Sequence, residues 1–145
     1  MSRTYGMTAG LLAIAFASGI VVGRGARVEA QAQGRVFELR TYTAPDGKLE
    51  NLKSRFRDHT VRIFQRHGMK SLGYWVPADA PKSQNTLIYI LQHESRAAAT
   101  KSWDDFRKDP EWIKVAAETQ KNGRIVVENG VVSVFMSATD FSAIK

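Results

Sequence analysis

VFELRTYT, residues 36–43, crowds β-branched and aromatic side chains into one short run and stops at the turn signal Ala44-Pro45-Asp46-Gly47. It reads as a strand. From Lys48 to His67 the spacing changes: Leu49, Leu52, Phe56, Ile63 and Phe64 recur at helical steps, with Lys53, Arg55, Arg57 and Arg62 on the other side, and Gly68 ends the pattern. KSLGYWVP (70–77) and TLIYILQH (86–93) are two further strands around a polar loop with Pro81, Ser83 and Asn85, and as neighbours they predict an antiparallel hairpin. Ser95 caps a helix whose inner face carries Ala98, Trp103 and Phe106. Asp109-Pro110-Glu111 restarts a helix that buries Trp112, Val115 and Ala116. IVVENGVVSVFMSAT (125–139) is strand-like, and its Asn129-Gly130 makes it either one bulged strand or a small hairpin.

The order β-α-β-β-α-β is that of the α+β ferredoxin-like unit, a four-stranded antiparallel sheet with both helices on one face. Alternation sorts the strand residues into two sets. Phe37, Leu39, Ile88 and Ile90 are assigned to the helix side. Val36, Glu38, Arg40, Tyr42, Tyr89, Leu91 and His93 then fall opposite, with Leu72, Tyr74 and Val76 from the middle strand. No further element of the chain is available to cover such a face, so a second subunit is expected to do so. Two sheets facing each other would form a dimeric α+β barrel with Glu38, Arg40, Tyr42, Tyr74, Tyr89 and His93 in or near its lumen.

The chain has 145 residues, the size of one domain, and its 43% hydrophobic and 24% charged residues are those of a packed globular protein. Residues 1–30 differ from the rest. Arg3 precedes an uncharged run from Met7 to Val22, followed by Arg24, Arg27 and VEAQAQG, the three-part form of a secretory leader. As a helix the apolar run would span about 24 Å against about 30 Å of hydrocarbon, so a signal peptide cleaved after Ala30 or Ala32 is expected, with an uncleaved signal anchor as the alternative. Arg24 and Arg27 depart from the neutral flank of a cleavable signal. The reading is residues 1–30 leader, 31–34 linker and 35–145 domain. The destination is periplasmic or extracellular, with membrane contact only through an uncleaved leader. The formal net charge is +7, and without Arg3, Arg24, Arg27 and Glu29 the 21 basic and 14 acidic residues become 18 and 13, or +5. These basic residues are interleaved with acidic ones on a helix surface, which argues against nucleic-acid binding. There is no cysteine, hence no disulfide framework, thiolate nucleophile, thiolate metal site or lipoprotein anchor.

The strings VFELRTYT, HTVRIFQRHGMKSLGYWVP, SWDDFRKDPEWIKV and ATDFSAIK, in this order, resemble the NIPSNAP family, and the resemblance runs from about Arg35 to Lys145. It implies a ferredoxin-like dimeric α+β barrel, a fold shared with small cofactor-free monooxygenases and with non-enzymatic binding proteins, and it implies no single reaction. Family members tied to mitochondria and vesicle traffic are a poor guide to a chain with a secretory leader, and a bacterial periplasmic or surface protein is the expected context.

The candidate pocket residues are Glu38, Arg40, Tyr42, Tyr74, Tyr89, His93 and His59. Glu38 and Arg40 share a strand face and are expected to pair, neutralising two charges. The functional alternative has Arg40 receiving an anionic or carbonyl substrate positioned by Tyr42 and Tyr74. His59 and His67 lie two turns apart, too far to share a metal; the first is read as a packing residue and the second as a last-turn residue. His93 is placed toward the lumen, its plainer reading being a strand-end surface position. Trp103, Phe106 and Trp112 are read as core, and Trp75 either as packing or as the rim of a pocket. No metal-ligand spacing, nucleophile elbow or phosphate loop is present, so no metal or cofactor is expected. Two functions remain: a homodimer that holds a small, partly apolar ligand or serves structurally, favoured here, and a cofactor-independent monooxygenase or isomerase acting on a phenolic or quinone-like molecule.

Overall fold

A computed structural model describes residues 34–145; the leader and most of the linker lie outside the described residues. The strands are β1 (Val36–Thr43), β2 (Lys70–Trp75), β3 (Thr86–His93) and β4 (Val131–Met136). Between β1 and β2 run α1 (Leu49–Arg55), a π-helical turn (Phe56–Thr60) and α2 (Val61–Arg66), and between β3 and β4 lie α3 (Arg96–Lys108) and α4 (Pro110–Thr119). The sheet order is β2-β3-β1-β4, antiparallel throughout. This is the expected ferredoxin-like arrangement, with helices on one face.

Local chemistry fixes most boundaries. Gly47 closes the turn after β1 at φ +72°. α2 ends where Met69 N–H donates to the Phe64 carbonyl and Gly68 N–H to that of Gln65, with Gly68 at φ +73°, a Schellman closure that needs glycine at the left-handed position. Ser95 Oγ accepts from Ala98 N–H at 3.0 Å and so caps α3. Asp109 caps α4 by accepting from the N–H groups of Glu111 and Trp112, with Pro110 in the first turn. The inner face of α3 carries Ala99, Trp103 and Phe106; Ala98 is only half-buried, as are Trp112 and Ala116 on α4.

The last segment corrects the sequence reading. Only Val131–Met136 is strand. Residues 125–130 form a loop that docks on the end of β1, through Val127 N–H to the Thr43 carbonyl and Thr43 N–H to the Gly130 carbonyl. Asn129 takes φ +55°, and a side chain at Gly130 would meet Val127 Cγ2 at 2.5 Å, so Asn-Gly makes a loop corner here and not a hairpin.

The second correction concerns the faces of the sheet. Residues expected to be co-facial are co-facial: Glu38, Arg40, Tyr42, Tyr74, Tyr89, Leu91 and His93 share one side. That side, however, is the one the helices cover. Tyr89 and Leu91 are fully buried, and the Tyr89 ring lies 5.1 Å from Phe56 of the π-helical turn and 6.0 Å from Phe64 of α2. The open side carries Leu39, Thr41, Ile88 and Ile90 with the exposed Val132 and Val134. Tyrosine rings supply the volume needed to fill the space under two aromatic-rich helices, and the buried carboxylate among them is tolerated because four side chains hydrogen-bond to it. Leu72 leaves its expected set, since the register shifts between Ser71 and Gly73 and Leu72 faces the open side beside Ile90. Nor is the open face wholly bare: residues 137–139, Ser142 and Ile144 of the C-terminal tail lie beside Phe37, Leu72, Ile90 and Met136 at one end of it.

Candidate functional site

The sheet-helix interior is organised around one carboxylate. Glu38 sits in the middle of β1, 1% exposed, and four donors converge on it. Arg40 Nη1 (2.7 Å) and Ser133 Oγ (2.6 Å) donate to Oε1, while Trp103 Nε1 (2.7 Å) donates to Oε2, with His93 Nε2 at 3.1 Å from the same oxygen. The donors come from β1, β4, α3 and β3, so the carboxylate ties together elements far apart in the chain. Burial alone would push its pKa up. Hydrogen bonds from His93, Ser133, Trp103 and Arg40 outweigh that and hold it down at about 2, so Glu38 is ionised throughout the neutral range. Arg40 lies over the Trp103 ring at 4.1 Å and reaches the Tyr42 hydroxyl at 3.4 Å. The expected Glu38–Arg40 ion pair is thus present, within a larger network than two residues on one strand suggest.

Beside it is an aromatic cluster. Tyr42, Phe56, Tyr74 and Tyr89 meet with centroid separations of 5.1–5.8 Å, mostly edge-on, and Tyr74 stacks on Tyr89 at 5.4 Å. Burial raises the pKa of both Tyr74 and Tyr89, which keeps their hydroxyls protonated.

Empty space lies on the far side of this cluster. A cavity of about 460 Å³ opens between the π-helical turn and β2, lined by Phe56, Val61, Tyr74, Trp75, Val76 and Leu87, with Lys53 and Arg57 also at its wall. The π-helical turn shapes it. Its extra residue, closed by Val61 N–H to the Phe56 carbonyl, lets Arg55, Phe56 and Thr60 all be buried on a helix whose apolar face would otherwise drift away from the sheet. Trp75 is half-exposed, and its ring lies across the place a side chain on Gly73 would occupy (2.6 Å), so Gly73 makes room for the cavity rim. The Tyr74 hydroxyl is engaged with Ser71 Oγ at 2.6 Å. A smaller opening of about 260 Å³ at the β4 edge shows one side of Glu38, Arg40 and Trp103 among Arg96, Arg107 and Phe135.

Comparison with known proteins settles the family. The family model described as NIPSNAP matches residues 37–143. This chain belongs to the NIPSNAP family. Among solved structures, a NIPSNAP family protein of unknown function from Agrobacterium tumefaciens aligns at 18% identity with TM-score 0.66, covering 78% of this chain and 96% of its own. A second Agrobacterium tumefaciens NIPSNAP protein aligns at 18% identity and TM-score 0.65 over 77% of this chain and 99% of its own. An uncharacterised NIPSNAP-like domain protein from Burkholderia xenovorans gives 14%, 0.64, 76% and 90%. At such identities the likeness shows a shared fold. No curated protein matches the chain.

Of the residues singled out in this NIPSNAP chain, Glu38, Arg40 and His93 are brought together, Tyr42 adjoins them, and Tyr89 and Tyr74 form the wall between them and the cavity. None of the six faces a lumen on the open side of the sheet. His93 is not a surface strand end: it is 1% exposed against Glu38. His59 stands apart, half-buried on the π-helical turn with no side-chain hydrogen bond to a described residue. His67 binds Asp109 at 2.6 Å, joining a surface network of Arg62, Arg66, Asp109 and Glu111 that ties α2 to α4. Sequence reasoning missed two donors to Glu38. Trp103 was legible as core, and its indole N–H, which needs a partner when buried, was the available signal; Ser133 gave none. The lining of the cavity by Phe56, Val61 and Leu87 was also unforeseen, because it depends on the π-helical turn. Among the described residues no group of acidic or histidine side chains could hold a metal, and no helix is long and apolar enough to cross a membrane.

Proposed function

We propose that this NIPSNAP domain is an exported homodimer that holds a small, largely apolar molecule in the cavity beside the π-helical turn, and that it binds this molecule without transforming it. The observation that carries the reading is the separation of the larger, apolar cavity from the charged groups, whose own opening at the β4 edge is smaller and rimmed by arginines. The cavity has the volume of a small-molecule site and is walled by aromatic and aliphatic side chains, while the acid, the histidine and Arg40 are engaged with one another on the other side of Tyr74 and Tyr89. The alternative, a cofactor-independent monooxygenase or isomerase, needs Arg40 or His93 to reach a bound phenol or quinone. Both are turned onto Glu38, and the one titrating hydroxyl at the cavity, Tyr74, is bonded to Ser71.

Pairing is supported by the open face, where Val132, Val134 and Ile144 are exposed beside Leu39, Ile88 and Ile90. An aliphatic face of this kind is better covered by a second copy than by water. Export rests on the three-part leader in residues 1–30.

Trp75 at the rim supplies the reporter for a test. Titration with small aromatic and aliphatic compounds is expected to change its fluorescence saturably, and Val61→Trp, which fills the cavity, is expected to abolish the response while leaving the fold intact. Turnover of any such compound under air, or a response that survives Val61→Trp, would contradict the reading.

A further inference from the structure

The wall of the cavity beside the π-helical turn carries charge of one sign only. Phe56, Val61, Tyr74, Trp75, Val76 and Leu87 give it aromatic and aliphatic surface; its two charged members, Lys53 and Arg57, are both cations, and no carboxylate lines it. Lys53, Arg57 and Val61 recur every four residues through α1, the π-helical turn and the start of α2, so one stripe of helix brings two cations and an aliphatic side chain to the same cavity. Neither cation is committed elsewhere. Lys53 pairs with Glu50 at 2.6 Å, but that carboxylate is 73% exposed, and a surface pair of this kind is weak and readily exchanged. Arg57 is exposed, and its side chain has no hydrogen-bond or ion-pair partner among the described residues. Of the other polar side-chain groups on the wall, the Tyr74 hydroxyl is occupied by Ser71 Oγ at 2.6 Å, and the Trp75 indole N–H can only donate. The free polar side-chain groups of the wall are therefore all donors, and two of them are charged.

We propose that the molecule held here is an amphipathic carboxylic acid, with its apolar body among the aromatic and aliphatic side chains and its carboxylate at Arg57 and Lys53. This deepens the small-molecule reading of the cavity and rests on it. Charge sorts the competing classes. A neutral apolar molecule would fill the same space but make no use of the two cations, and a cationic one would meet two like charges. A carboxylate matches the guanidinium fork with two oxygens and gains charge-assisted hydrogen bonds that neither of the others can make. Arg57 also fixes where the head sits. Being exposed, it holds the carboxylate at the water boundary, whereas burying that charge against the apolar wall would cost more than the hydrogen bonds contribute.

The test titrates the purified protein with octanoate and with octanol, which share a chain and differ in charge, and follows tryptophan fluorescence. Octanoate is expected to bind saturably and to weaken as sodium chloride is raised, while octanol is not weakened. In the double variant Lys53→Gln with Arg57→Gln, octanoate affinity is expected to fall about tenfold and octanol affinity to stay within about twofold. Neither side chain is buried, so the fold is not at stake, and the salt series on the unaltered protein reads the same charge without any substitution. Val61→Trp is expected to abolish binding of both probes. An equal loss for the two probes in the double variant, or octanoate binding that ignores both salt and the double variant, would overturn the carboxylate and leave the cavity reading in place. Octanoate binding that survives Val61→Trp would overturn it too. Binding of neither probe would overturn both readings.

Discussion

The two faces of the sheet use the same four strands for opposite ends. The covered face concentrates polarity beneath the helices, with a carboxylate, an arginine, a histidine and three tyrosines under aromatic side chains. The open face carries only aliphatic and small side chains along its centre and leaves Val132 and Val134 about half-exposed. What decides which face is interior is therefore not hydrophobicity residue by residue. It is whether the charged groups of a face can pair with one another and whether its rings can fill the volume beneath the helices.

The largest way to break this contrast is at Glu38. Glu38→Leu would leave Arg40, His93, Trp103 and Ser133 facing an apolar side chain, and a loss of about 3–5 kcal/mol is expected, read from urea unfolding. A gain in stability would mean that the network is a burden on the fold and not its tie.

Acid is the next probe. The folded pKa of Glu38, about 2, lies below its unfolded value near 4.5, so its contribution is complete above about pH 4.5 and is lost as pH falls toward 2. The shift corresponds to roughly 3 kcal/mol. Glu111 and Asp109 are also held low by their arginines, so the measurement is the difference between wild type and Glu38→Gln as a function of pH. That difference is expected to shrink through this window; a constant difference would show that the Glu38 charge contributes nothing.

A smaller effect is expected at the indole. Trp103→Phe removes one of the four donors to Glu38 while keeping an aromatic ring, and about 1.5–3 kcal/mol should be lost in the same unfolding assay. The open face should answer least. Val134→Ala, studied at protein concentrations low enough to separate any dimer, is expected to change stability by less than about 0.5 kcal/mol. A loss of 2 kcal/mol or more would show that the open face is buried within the single chain.

Much of this was legible in the sequence. Ser95, Asp109-Pro110 and Gly68 marked helix ends because each supplies a local hydrogen bond or a left-handed backbone that few residues can supply. Strand alternation placed Glu38, Arg40, Tyr42, Tyr89 and His93 together, because a period of two is a property of the extended chain itself. Which side the helices take is a tertiary choice, and ranking Leu39 and Ile90 above Tyr89 by hydrophobicity inverted it. The π-helical turn at Phe56–Thr60 left no trace either, since one extra residue in a helix shifts its inward face without altering composition. The cavity and the buried Arg55 both follow from that turn, so both escaped the sequence. Residues 125–127 looked like strand because Ile and Val favour strands anywhere, yet the Asn129-Gly130 corner turns them onto the end of β1.

The most direct test of the account is native mass spectrometry of the mature protein purified from an exporting host. A dimer that retains one small, largely apolar molecule per subunit, with the molecule lost in Val61→Trp and the dimer lost in Val134→Asp, is the predicted result. A clean monomer that carries nothing would contradict both the pairing of the open faces and the use of the cavity.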